Sequence, residues 1–93
     1  MRTEKVSQGD LQRIVKEKGA VRAGSSTNLE GRIQQYKQEG YKGKLFHADT
    51  RNMMKAEDKL LKENPLHNQQ KLSNAPERPG KVYVIKGGKF KDK

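Results

Sequence analysis

Two places in this chain carry side chains of the types and spacing that phosphate chemistry uses. Arg32 and Tyr36 are four residues apart in a stretch where Leu29, Ile33 and Tyr36 repeat with helical periodicity, so a guanidinium and a phenol sit one above the other beside an apolar stripe. Such a pair can hold a phosphate on the planar guanidinium fork and polarise a group next to it. Glu57 is the second place. It lies among Met53, Met54, Ala56, Leu60 and Leu61, and a carboxylate flanked by apolar side chains is costly unless it is paired or metal-bound. An ion pair with one of the many lysines and arginines meets that need as well as a functional site does.

Other candidates are weaker in kind. His67 and Asn68 follow Pro65-Leu66; a histidine there can carry a proton or touch a phosphate near neutral pH, the asparagine can orient a water, and both also suit an ordinary turn. His47 is a lone histidine in an extended stretch, where packing or exposure is the ordinary explanation. The histidines and acids show no compact zinc spacing. Gly87-Gly88 lacks the context of a phosphate-cradling loop. The chain has no cysteine, which excludes disulfides, thiolate metal sites and a thiol nucleophile.

Charge points to the class of partner. Lysine and arginine number 21 against 11 acids in 93 residues, a formal net charge of +10, and such a surplus on a small body favours a polyanion, most simply nucleic acid. No apolar run approaches membrane-spanning length and no targeting segment is visible. No stretch joins a cationic face to a large apolar one, as a membrane-surface helix would. With 30% apolar residues, one small domain over residues 1–93 with a thin core is expected.

The elements that must position these residues follow in chain order. Residues 1–6 read as a frayed start. Ser7 with Asp10 caps a helix over about 8–18, with Leu11, Ile14 and Val15 on its buried stripe and Gly19 as its stop; its outer face carries Arg13, Lys16 and Lys18, either a phosphate track or a solvated surface. Residues 20–24 read as a strand. Thr27, with Glu30 completing a capping box, starts a helix that runs to Glu39 and stops at Gly40. Residues 44–48 are a second strand. Thr50 or Asn52 caps a third helix reaching Glu63, and Asn64-Pro65 ends it. Residues 64–80 form a long polar loop. Val82-Tyr83-Val84-Ile85 is the clearest strand, Gly87-Gly88 a hairpin-type turn, and Lys89-Phe90 the start of a return strand before a frayed 91–93. The expected fold is a small α/β (α+β) layer: a three-stranded sheet flanked by about three helices.

In that order the residues resemble a known family. Gly24-Ser25-Ser26-Thr27-Asn28-Leu29-Glu30-Gly31-Arg32 is similar to the segment after the second tripeptide of GIY-YIG nucleases, in which the tripeptide's final glycine precedes the catalytic arginine at this spacing. Tyr36 stands where that family has a tyrosine or histidine one turn beyond the arginine. Ala56-Glu57 with Leu60-Leu61 resembles the helix of the metal-binding glutamate, and Pro65-Leu66-His67-Asn68 the Pro-x-x-Asn-type segment that often follows. The likeness covers about residues 20–68. Arg22-Ala23-Gly24 replaces the YIG tripeptide, and no GIY strand precedes it. Gly80-Lys81-Val82-Tyr83-Val84-Ile85-Lys86-Gly87-Gly88-Lys89 reads like that strand and its turn displaced to the far side of the chain, so a permuted sheet would bring Tyr83 beside Arg32 and Glu57.

The resemblance implies a Mg²⁺-dependent DNA endonuclease of one-metal type. Glu57 would hold the Mg²⁺ or another divalent cation, Arg32 would neutralise charge on the phosphoryl oxygens, and Tyr83 or Tyr36 would assist attack by water. Arg22, Ser25, Lys37, His67, Asn68 and Lys86 are the expected nucleic-acid contacts. The alternatives are a catalytically inactive module of that fold that binds DNA or a protein, favoured by the missing YIG tyrosine, and a small basic interaction protein with an accidental likeness.

Overall fold

The computed structural model describes residues 1–64 and 78–87. The protein is α+β: a four-stranded mixed sheet with three helices, in the order β1 (Arg2–Lys5), α1 (Gln8–Ile14), β2 (Ala20–Ser26), α2 (Leu29–Gln38), β3 (Lys44–Thr50), α3 (Met53–Glu63), β4 (Gly80–Lys86). Spatially the strands run β1-β3-β4-β2. β4 is central and antiparallel to both β2 and β3, while β1 adds to the outer edge of β3 in parallel.

The central place of β4 explains its sequence. A strand covered on both faces reads as a continuous apolar run rather than an alternating one, and Val82, Tyr83, Val84 and Ile85 are all buried. Alternation divides them between two layers. Val82 and Val84 pack with Leu11, Ile14 and Val15 of the α1 region and Leu60 of α3. Tyr83 and Ile85 pack on the other face with Leu45, Tyr41 and Tyr36 of α2. The sheet therefore lies between α1 and α3 on one side and α2 on the other. No helix among the described residues is long and apolar enough to cross a membrane.

Three local expectations change. The first residues form a strand, so the sheet has four strands where three were expected. Its four residues are all exposed, and what holds them is backbone pairing with β3, extended by Val6 N–H donating to the His47 carbonyl at 2.8 Å, together with ion pairs Glu4–Lys44 and Lys5–Asp49. An apolar pattern is not needed for that, so periodicity could not reveal it. α1 ends at Ile14, short of residue 18, because its apolar stripe stops at Val15; the chain then turns through i→i+3 bonds such as Glu17 N–H to the Ile14 carbonyl. α2 is capped by Asn28, whose side chain accepts from Gly31 N–H at 3.1 Å. Ser26 Oγ accepts from Asn28 N–H, and that local bond fixes Asn28, leaving Thr27 exposed and no Thr27–Glu30 capping box. Asn52 caps α3. His67, Asn68, most of the 64–80 loop and Lys89-Phe90 lie outside the described residues.

Candidate functional site

Strand pairing sets the site. In the β2–β4 register Gly24 lies directly opposite Tyr83, and the phenol ring occupies the space that a side chain at 24 would fill. A Cβ there would stand 2.6 Å from Tyr83 Oη and 2.8 Å from Cζ. Gly24 has an extended backbone, so glycine is required by space and not by φ. Lying across the glycine, Tyr83 reaches α2, where its hydroxyl is 2.8 Å from that of Tyr36. The rings are close to perpendicular at 5.9 Å, and Tyr41 packs edge-on to Tyr36 at 5.2 Å. All three tyrosines of the chain thus share one cluster.

Arg22 completes it. Its Nε donates to Tyr36 Oη at 3.0 Å, and its guanidinium carbon lies 5.6 Å from the centre of that ring. Burial works against the Arg22 charge, but hydrogen bonding and electrostatic attraction from Tyr36 and Tyr41 together outweigh it and hold the guanidinium still more firmly protonated. Burial also pushes the Tyr83 phenol up, with Tyr36 reinforcing and Arg32 opposing, so Tyr83 keeps its proton at neutral pH.

Glu57 approaches from α3 on the other side of β2. Ser25 is next to Gly24 but faces the opposite way, and its hydroxyl donates to Glu57 Oε1 at 2.6 Å. At 8% exposure Glu57 is the one buried charged residue among those described, and none of their lysines or arginines comes within ion-pair distance of it. The ion-pair explanation is therefore not realised among the described residues. Burial raises the Glu57 pKa; the Ser25 hydroxyl and then the Arg32 and Arg22 charges pull against that rise. Arg32, half-buried in the first turns of α2, acts electrostatically on both Glu57 and Tyr83. Its side chain has no hydrogen bond or ion pair with any described residue. Arg32 thus acts on groups of both faces of β2, the buried Glu57 carboxylate on the α3 side and the bonded phenols on the α2 side.

The remaining expected contacts are dispersed. Arg22 and Ser25 point inward, to Tyr36 and Glu57. Lys37 is exposed on α2. Lys86 lies at the opposite end of β4 and is paired with Glu17, so it is neutralised and away from this cluster. Sequence reasoning missed the partnership of Ser25 with Glu57, for which no local signal exists, and the place of His47. That histidine sits opposite Tyr83 in β3, with Nδ1 buried and unpartnered; burial and then the Lys81 charge lower its pKa.

Among the described residues no three His, Cys, Asp or Glu side chains converge as a metal cage. Glu57, with one oxygen on Ser25, is a lone buried carboxylate. Mg²⁺ is commonly held by few protein carboxylates, completing its shell with substrate phosphate and water. No family model, no curated protein and no solved structure matches this chain.

Proposed function

We propose that this protein is a nucleic-acid-binding phosphodiesterase of GIY-YIG type, a Mg²⁺-dependent DNA endonuclease. The observation that carries the reading is the β2–β4 pairing, which lays Tyr83 across Gly24 and beside Tyr36 while Ser25 holds Glu57 one residue away. A permuted form of the family's sheet asks for Tyr83 beside Arg32 and Glu57; in its support, both charges act electrostatically on Tyr83, with Glu57 on the opposite face of β2.

Arg32 is the phosphate anchor. Having no carboxylate partner among the described residues, it can turn its fork to the phosphoryl oxygens and offset the charge that grows on them. Glu57, with Ser25 fixing one oxygen, would hold Mg²⁺. When bound with a phosphate, that ion polarises the phosphoryl group and acidifies its own water. Tyr83 keeps its proton, so in the free protein it acts as a hydrogen-bonding group and not as a base. Tyr36, itself held by Arg22, fixes its hydroxyl. The surplus of positive charge supplies sequence-independent affinity that falls with salt.

A second reading has its own observation. Tyr83 and Tyr36 are 1% and 4% exposed and bonded to each other, which favours an inactive module that binds DNA without cutting it. A supercoiled-plasmid nicking assay with Mg²⁺ separates the two. The endonuclease reading expects nicking that falls by about 100-fold or more in Arg32→Ala and Glu57→Ala. Nicking that persists in both variants, or none in the wild type alongside salt-sensitive binding, refutes it; the latter result supports the binding module.

A further inference from the structure

A second charged feature lies on the other side of α3. Arg51, Lys55 and Lys59 recur every fourth residue, all exposed, and line a cleft of about 320 Å³ with Gln8, Thr50 and Asn52. Lys55 and Lys59 are about one turn apart on α3, about 6 Å along its axis, and Arg51 precedes the helix cap Asn52. Neighbouring cations are neutralised: Lys62 by Asp58, Lys16 by Glu63, Arg13 by Asp10 and Glu17, and Lys5 and Lys81 by Asp49. Arg51, Lys55 and Lys59 have no carboxylate within ion-pair distance among the described residues. The facing wall is also uncharged, with Gln8 fixed by donating to the Asp49 carbonyl at 2.9 Å.

This arrangement opposes the helix that carries it. Like charges at i and i+4 repel, and cations at a helix N-terminus work against its dipole. α1 and α2 have Asp10 and Glu30 in their first turns, whereas α3 has no acid there and has Lys55 instead. A polyanion in the cleft would relieve both terms. A membrane surface fits poorly, because among the described residues Ala56 is the only apolar side chain lining the cleft. One DNA strand places a phosphate every ~3.4 Å of helix axis, so the one-turn spacing of Lys55 and Lys59 spans about two of them.

We propose that the α1–α3 cleft is a second phosphate-backbone site, with Arg51, Lys55 and Lys59 gripping one strand of a nucleic acid outside the Arg32–Glu57 site. This rests on the nucleic-acid reading but not on cleavage. α3 then carries Glu57 on one side and a backbone grip on the other, so strand binding would hold that helix against the substrate.

The test is fluorescence anisotropy of a labelled 20-base-pair duplex, titrated with the full chain from 50 to 300 mM KCl. The variant Arg51→Gln/Lys55→Gln/Lys59→Gln should lower the slope of log affinity against log salt by ~2 to 3, about 0.9 per lost phosphate contact. It should melt at or above the wild-type temperature, because repulsion is removed. A wild-type slope and affinity in this variant overturn the proposal, as does absence of duplex binding by the wild type. Binding by the wild type to anionic phosphatidylserine vesicles in preference to duplex also overturns it. Failure of the endonuclease reading shows separately, as duplex binding of the expected salt dependence without nicking.

Discussion

Substituting Gly24 by alanine tests the packing on which the site depends, and the structure sets the scale of the effect. The new methyl would stand 2.6 Å from Tyr83 Oη, 2.8 Å from Cζ and 3.1 Å from Cε1, where ordinary contact needs about 3.5 Å or more. Tyr83 must therefore retreat by about 1 Å. It has little room, being 1% exposed and bonded to Tyr36, which itself packs against Tyr41. Overpacking of this kind costs about 1–3 kcal/mol, and loss of the phenol–phenol bond adds about 1 kcal/mol. Alanine's lower chain entropy in the unfolded state returns about 0.5–1 kcal/mol. The net expectation is a destabilisation of about 1–3 kcal/mol.

At a urea dependence of about 1 kcal/mol per molar for a chain of this size, that is a fall of about 1–3 M in the unfolding midpoint. Tyrosine fluorescence can follow it, since the chain has no tryptophan. The collision also predicts coupling: in a Tyr83→Leu background Gly24→Ala should cost clearly less than in the wild type. Equal cost in both backgrounds, or a Gly24→Ala variant as stable as the wild type, would refute the placement of Tyr83 over this glycine.

Two further outcomes follow from the same cluster. Tyr36→Phe removes the acceptor for Arg22 and the partner of Tyr83, leaving two polar groups short of a bond, and should cost about 2 kcal/mol, a fall of about 8–16 °C in melting temperature by calorimetry. Glu57 has a folded pKa raised by burial, so the folded state holds its proton longer than the unfolded chain, and this residue's contribution to stability falls as pH rises from the ordinary carboxylate range through the raised value. Glu57→Gln should remove that decline and be the more stable protein at pH 7, measured as urea midpoints from pH 4 to 8.

The clearest parts of the fold in the sequence were those fixed by local chemistry. The Leu11, Ile14 and Val15 stripe and the unbroken Val82–Ile85 run each name their element without help from distant residues, and local chemistry narrows the α3 cap to Thr50 or Asn52, of which Asn52 serves. β1 was not visible because Arg2, Thr3, Glu4 and Lys5 bury nothing; only the free edge of β3 makes a strand of them. At the site, Glu57 stood out by its apolar neighbours and Tyr83 by its strand. Their partners did not. Ser25 meets Glu57 and Arg22 meets Tyr36 through sheet and helix placement, and an arginine in a strand reads as an outward charge until the phenol beside it is known.

The central position of β4 also fixes when the site can exist. β2 and β3 do not pair with each other; each is joined through β4, and the Tyr36–Tyr83 bond closes a separation of 47 residues. Pairings of such long range form late and slowly, since loop closure must precede the contacts that reward it. A chain that has made its helices but not yet inserted β4 therefore has Arg32 and Glu57 without Tyr83, and an open gap where the sheet should bind them together. Assembly of the phenol pair and completion of the fold are one event, so partly folded molecules carry the charges of the site without its geometry.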